Sequence, residues 1–447
     1  MLHPDALRDL RTFRADLYGC LVRRADALFE LTDALLAAEA FPSLPHLSLL
    51  PLHRRGWGSV YAGLAEGWLD PDAMRAAVAS RPLADGRPIY AVDVSVWPRC
   101  DAEASPERGF YYHPSRHSAG QPIVAGWAYQ WIAQVGFERD SWTAPLDVRR
   151  VHPTENTNQA AAAQIRRLLR QLPASEEAPL FVFDAGYDSV QLTQALADLP
   201  VAVVVRLRSN RCFYADPPPA EPSPQGGRPR KHGAKLECRD PRTWPPPSHE
   251  HVAEDAQYGT VRVRAWAGLH PKQQLHATRG TRGPRPIVRG TLVLVEVSRL
   301  PGRCYKPQVL WLWWAGPGAP GLDVIWRAYV RRFDLEHTLR FLKQTLGWTT
   351  PRIRHAEQAD RWTWLILAAY TQLRLARGCV ADRRLPWERR LDPANLTPCR
   401  ARRAVPTILL AVGTPADAPK PCGRSPGRPK GSRSGRARRY PALKKTA

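Results

Sequence analysis

Two carboxylates stand where carboxylates are costly. Asp93 sits inside the apolar run Ile89 to Trp97 (IYAVDVSVW), bounded by Pro88 and Pro98, and Asp184 closes the run Leu180 to Phe183. An acid in a buried strand is unfavourable unless it is paired or holds a cation. Magnesium takes oxygen ligands, commonly one or two carboxylates with waters and substrate phosphates, so two strand-borne Asp residues suit ions at a phosphodiester. A helix cap or an ion pair with a nearby Arg serves a lone Asp equally, and is the more frequent use. A third group bears on the choice. In the stretch from Tyr329 to Lys343 (YVRRFDLEHTLRFLK), helical periodicity puts Tyr329, Arg332, Glu336, Arg340 and Lys343 within an arc of about 80°. Leu335, Leu339, Leu342 and Leu346 form an adjacent stripe that can pack on a core. A carboxylate flanked by three cations and a Tyr suits a metal ligand among phosphate clamps. A solvated, salt-bridged helix face, with Glu336 between Arg332 and Arg340 at i−4 and i+4, satisfies the same spacing.

The elements that must position these groups can be read from hydropathy. Leu7, Leu10, Phe13, Leu17 and Leu21, then Leu28, Leu31, Leu35 and Leu36, predict amphipathic helices, broken by the Pro-containing stretch from Phe41 to Pro51, with a further helix from Asp72 to about Val78. This is a helical unit over residues 1–85, suited to packing, oligomerisation or DNA-end binding. Residues 86–207 alternate as α/β domains do: strands at Ile89 to Trp97, Val124 to Phe137, Pro179 to Asp184 and Val201 to Leu207, and helices at Thr157 to Leu172 and Ser189 to Leu199. Residues 208–319 break the rhythm with Pro-rich and Gly-rich loops around Val261 to Trp266, Thr291 to Val297 and Val309 to Trp314, a β-rich insertion. Helix returns over 320–380, from Gly321 to about Gly347 and from about Ala356 to Arg377. Residues 381–447 read as a basic, largely disordered tail.

Charge narrows the partner. The chain of 447 residues carries 65 Lys and Arg against 41 Asp and Glu, a net charge of +24, with an ordinary 44% of hydrophobic residues. It reads as a folded basic protein with a polyanionic partner, nucleic acid before anionic membrane. Residues 1–80 hold 8 basic against 10 acidic residues, the insertion 18 against 8, and Lys420 to Ala447 10 against none. Only nine of the basic residues are Lys, a bias that suits bidentate phosphate contacts and that a GC-rich genome also produces. No apolar run reaches 18 residues and the N-terminus lacks a signal h-region, so a soluble, cytoplasmic protein with no membrane partner is expected. Cys20, Cys100, Cys212, Cys238, Cys304, Cys379, Cys399 and Cys422 form no CxxC pair and signal neither a zinc site nor a disulfide framework.

Tyr329, Arg332, Glu336 and Lys343 match the Y-(2)-R-(3)-E-(6)-K signature, and the sequence thereby resembles the DDE transposases of the bacterial "insertion sequence four" superfamily, nearest its "seven-oh-one" branch. Asp93 in its apolar strand and Asp184 opening Asp-Ala-Gly186-Tyr187 agree with that pattern, and the interval from Asp184 to Glu336 leaves room for the insertion these enzymes carry. The resemblance covers about residues 85 to 350. It implies an α/β fold: an RNase H-like catalytic core with a β-rich insertion, preceded by a small α-helical domain. It further implies that Asp93, Asp184 and Glu336 are the catalytic, metal-binding acids, holding two Mg²⁺ or Mn²⁺ ions. Tyr329, Arg332, Arg340 and Lys343 would contact DNA near the scissile phosphate. The partners would be double-stranded DNA, as terminal inverted repeats and target, and a second copy of the chain on paired ends. Relatives can pass through a hairpin in which a flipped base stacks on an insertion Trp, for which Trp311, Trp313 and Trp314 are candidates; Trp at strand spacing is otherwise core.

Weaker signals remain. Gly427-Arg428-Pro429, followed by Lys430, and Gly227-Arg228-Pro229 resemble the core of a minor-groove hook, though in an Arg-rich, Pro-rich chain nonspecific phosphate contact explains them too. His113 and His117 are four apart with Pro114 between them, which argues for loop residues and against a helical metal pair. No Walker loop, GxGxxG, HExxH or Ser-centred elbow is present, which leaves ATP-driven, dehydrogenase, zinc-protease and hydrolase chemistry unsupported. Two rivals to a transposase stand: a silent or repurposed DNA-binding protein, which would not need the three acids, and an RNase H-like nuclease without strand transfer, which would not need Tyr329, Arg332 and Lys343.

Overall fold

The computed structural model describes residues 4–41, 43–83, 87–113, 121–138, 140–219, 230–272, 287–301, 308–421, 427, 429–433 and 435–444. Arg428, Gly227 to Pro229, His117, Cys304 and Cys422 lie outside the described residues.

The N-terminal helices follow their apolar spacing. They are α1 (Pro4–Gly19), α2 (Ala25–Ala37), the one-turn α3 (Leu44–Leu47), α4 (Trp57–Glu66) and α5 (Pro71–Ala79), with a small antiparallel pair β1 (Leu21–Arg23) and β2 (Trp68–Leu69) between them. Asp70 begins α5 by accepting from the backbone N–H of Asp72 and Ala73, while Pro71 occupies the first turn, where its missing N–H costs nothing.

Next come β3 (Ile89–Pro98), β4 (Gly109–Tyr112), β5 (Ile123–Gln134), β6 (Ala144–Val151), α6 (Thr157–Leu169), β7 (Leu180–Phe183), α7 (Ser189–Ala195) and β8 (Ala202–Leu207). Side-chain caps from Asn156 and Asp188 start α6 and α7. The 208–319 stretch gives β9 (Cys212–Tyr214), β10 (Lys235–Glu237), β11 (His249–Asp255), β12 (Gly259–Pro271), β13 (Gly290–Val297) and β14 (Gln308–Ala315). All of β3 to β14 belong to one twelve-stranded sheet. At its centre β3 pairs in parallel with β7, and β7 with β8; β5 and β6 run antiparallel on the other side of β3. The strands of the insertion do not form a separate layer: β14 adds antiparallel to β8 and carries the sheet outward through β13 and β12. The result is a mixed α/β fold with a large mixed sheet, consistent with an RNase H-like DDE fold.

Helices cover both sheet faces. Ile89, Ala91 and Val182 pack into the cluster that holds α8 (Leu322–Arg331), α9 (Phe333–Gln344) and α10 (Ala356–Ala376), while Tyr90, Val92, Phe181 and Phe183 pack with α6 and α7. The N-terminal helices share the first core, because Leu10, Phe13, Leu28 and Leu35 meet the face of α10 that carries Leu365, Ile366 and Leu373. Buried Arg14 ties three helices together, with Asp33 at 2.6 Å and Gln372 at 2.7 Å. Within 381–447, expected to lack structure, the chain forms α11 (Pro398–Ala404) and α12 (Pro406–Val412), and the backbone N–H groups of Tyr440 and Leu443 donate to the carbonyls of Glu103 and Arg108. Among the described residues no helix is long and apolar enough to cross a membrane.

Candidate active site

Strand register brings the two Asp residues together. Val92 on β3 is opposite Phe183 on β7 in a parallel pair, so Asp93 and Asp184 stand side by side one position beyond. Phe183 and Val92 point to the α6 and α7 face, and the two-residue period turns Asp93 and Asp184 toward α8 to α10. Asp93 accepts from the Val94 N–H at 2.8 Å, and Asp184 from the Gly186 N–H at 3.0 Å. Gly186 leaves that turn open: a β-carbon there would lie 3.1 Å from Asp184 Oδ1. Burial pushes the Asp93 carboxyl up to about 7; Arg332 opposes the shift, and the charges of Asp184 and Glu336 reinforce it. Asp93 therefore feels the charge of both other acids.

Arg332 sits between the strands and α9. Its guanidinium lies 2.8 Å from Glu336 Oε1 and 3.5 Å from Asp93 Oδ2. The continuous helix expected from Gly321 to Gly347 is divided here, since Arg332 ends α8 and begins α9. This changes the expected face. Tyr329 is 2% exposed and Arg332 3%, whereas the Glu336 side chain is 45% exposed, so the first two are packed beneath the third and do not line an open stripe. Arg332 lies over the rings of Phe333 and Tyr329, and burial raises the Tyr329 phenol above its ordinary value against the opposing charges of Arg332 and Arg206. The leucine stripe is as expected: Leu335, Leu339, Leu342 and Leu346 are buried.

Arg340 and Lys343 do reach solvent-accessible space. With Asp93 and Glu336 they line a cleft of about 960 Å³, completed by Arg99, Cys100 and His113 on one wall and by Thr349 to Arg352 on the other. The Lys343 ammonium also lies 5.8 Å from the Trp348 ring. Sequence reasoning missed Arg99 and Arg352; among so many arginines they carry no distinguishing spacing. It also missed the polar support beneath the acids. The Tyr187 hydroxyl, buried near Asp93 and Asp184, donates to Gln130 Oε1 at 3.2 Å, and the Gln130 amide donates to Gln164 Oε1 at 2.8 Å.

Trp311, Trp313 and Trp314 are not a stacking platform in this fold. They alternate along β14 with both faces covered, 2%, 0% and 8% exposed. Trp311 packs against Trp244 and Trp266, and the Trp313 indole N–H donates to Thr193 Oγ1 at 3.0 Å. Lys430 is exposed on the C-terminal segment.

Among the described residues, no three or more His, Cys, Asp or Glu side chains gather into a single metal cage. The donor chemistry nonetheless fits hard divalent ions: carboxylate oxygens only, on adjacent strands and a facing helix, in a field that keeps Asp93 protonated to about pH 7 until positive charge relieves it. Arg332 already offsets part of that field.

Acids at neighbouring strand ends, under a helix that presents cations to the same cleft, are the equipment of a DDE-type endonuclease. The chain belongs to that family: the profile described as "DDE superfamily endonuclease" matches residues 16–272, more than half of its length. The matched stretch contains Asp93 and Asp184 and ends before Tyr329 to Lys343. Membership supports a nuclease- or transposase-type function and suggests an enzyme that acts on DNA; such domains generally depend on divalent metal ions. A comparison with curated proteins finds no match.

Proposed function

We propose that this protein is a DNA transposase of the bacterial "insertion sequence four" type, which binds the ends of its element as double-stranded DNA, cuts them and joins them to a target. The observation that carries this reading is the register of β3 and β7, which sets Asp93 beside Asp184 on the face that meets Glu336. Asp93, Asp184 and Glu336 would hold two Mg²⁺ or Mn²⁺ ions. Bound there, such ions lower the barrier to in-line displacement at phosphorus, favouring both the attacking and the leaving oxygen. Arg332 holds the Asp93 and Glu336 carboxylates in place, and Arg340 and Lys343 offer charge to phosphates in the cleft. The enzyme works as a homodimer on paired ends, at the nucleoid of a bacterial cytoplasm.

A nuclease without strand transfer is the second reading, favoured by the family description, which names endonucleases and matches a stretch without the Tyr329 to Lys343 signature. One assay separates them. Purified protein is given duplexes carrying its element's ends, a target plasmid and Mg²⁺, beside Asp93→Ala, Asp184→Ala and Glu336→Ala. Cleavage and joining that vanish in all three variants support the transposase; cleavage without joining supports the nuclease. Binding with no cleavage supports a repurposed binding protein, and cleavage surviving the substitutions overturns the assignment of the acids.

A further inference from the structure

The cleft does not end at its acids. Beyond α9 the chain turns at Gly347 and runs out through Thr350-Pro351-Arg352-Ile353-Arg354. Pro351 and Ile353 are buried and Arg352 and Arg354 exposed, so alternation anchors the segment through its apolar residues and turns both arginines outward. Thr350, Pro351 and Arg352 form the wall of the cleft and, at the same time, the wall of a second groove of about 660 Å³. The opposite wall of that groove is α4, with Tyr61 and Leu64, and the groove lining contains no acidic residue. Its walls are fixed to each other's scaffold: Arg361 on α10 donates to the carbonyls of Leu64 and Ala65 at the end of α4. Tyr61 is 45% exposed, and next to it Trp57, 68% exposed, meets its ring edge-on at 6.1 Å.

Large exposed aromatics here stand beside arginines that line the same groove. Among the described residues, Arg340, Arg352 and Arg354 have no ion pair to a carboxylate. A mixed groove of this kind fits a deoxyribose-phosphate strand, with phosphates on the guanidinium groups and sugar or base faces against the tyrosine ring.

We infer that Arg340, Arg352 and Arg354, with Tyr61, form a continuous track that carries the DNA flanking the scissile phosphate out of the cleft and along α4. The inference rests on the proposed action on DNA and adds to it a second binding surface and the direction in which the flank leaves. It gives the helical N-terminal part a direct role in holding substrate, through α4.

The test is equilibrium binding of a fluorescein-labelled duplex of ~30 base pairs, measured by anisotropy across a salt series without divalent metal. The Arg352→Gln/Arg354→Gln variant is compared with the wild type and with Arg167→Gln/Arg170→Gln, which removes the same charge from α6 and its C-cap on the opposite face of the sheet. Each lost phosphate contact lowers the salt slope by about 0.9, so the first variant is expected to lose about 1.8 in slope and about tenfold in affinity near 0.1 M salt, and the α6 variant neither. Tyr61→Ala is expected to weaken binding with the slope unchanged, because its contact is not ionic. Thermal melts establish that each variant is folded. Equal slopes in the wild type and Arg352→Gln/Arg354→Gln, or equal losses in the α6 control, overturn the track. If those results come with intact Mg²⁺-dependent cleavage, the function stands and only the track falls; a wild-type protein that binds no duplex removes both.

Discussion

Arg332 Nη1 lies 3.5 Å from Asp93 Oδ2, and its charge, with the Val94 N–H hydrogen bond, opposes the burial that lifts Asp93 to about 7. A carboxyl whose folded value lies above its unfolded value of about 3.9 binds its proton more tightly when folded. Its stabilising contribution is therefore present below about pH 4 and is lost as pH rises through about 7. In metal-free protein, Asp93→Asn removes this penalty. The variant should melt above the wild type at pH 8, and the difference should shrink steadily toward pH 4 in thermal unfolding curves. A pH-independent difference would mean that Asp93 is ionised throughout. Arg332→Ala should extend the loss to higher pH with the same limiting slope of one proton, since the guanidinium no longer offsets the charge.

Gly186→Ala tests the turn that holds the second acid. The added methyl would stand 3.1 Å from Asp184 Oδ1, closer than an ordinary van der Waals contact, so the carboxylate must shift. Misplacement of a catalytic group by about 1 Å can lower a rate on the order of 100-fold. Because the carboxylate need give only a few tenths of an ångström, cleavage by Gly186→Ala should fall by less than that, with little change in melting temperature. A variant that cuts at the wild-type rate would show that Asp184 does not need its present position.

How much of this was legible beforehand differs from residue to residue. Asp93 and Asp184 stood out because apolar runs around an acid are rare, and the strands formed where those runs lie. The burial of Tyr329 and Arg332 did not show. Helical projection assigns a side to each residue, but the break at Arg332 and the strands packed beneath it are tertiary facts. The Leu7 to Leu36 spacing likewise announced amphipathic helices, whereas their partner, α10, lies more than three hundred residues away in sequence. The tryptophans of β14 were ambiguous for a related reason: a strand covered on both faces reads as a continuous apolar run and carries no sign of which side chains are accessible.

Trp313→Ala separates packing from base recognition. The side chain is fully buried, stacks on Phe213 with centroids 5.6 Å apart and donates to Thr193. Truncation of such a residue typically costs about 3 to 5 kcal/mol. Urea denaturation should report a loss of that size, while any protein that remains folded at low temperature should bind duplex DNA as the wild type does. Unchanged stability with weakened binding would return Trp313 to the substrate.

Gly347 sets the exit of the chain from α9 toward Arg352. Its φ of +69° lies in the left-handed region, and a β-carbon there would meet the Phe41 ring at 2.3 Å. Alanine therefore faces a backbone penalty of about 1 to 2 kcal/mol and a clash with a ring that is itself held against Trp362 at 5.4 Å. Gly347→Ala should destabilise the protein by at least the backbone penalty, and Phe41→Ala should restore part of the loss in the double variant because it removes the clash alone. Full additivity of the two substitutions in denaturant melts would show that Phe41 does not confine this turn.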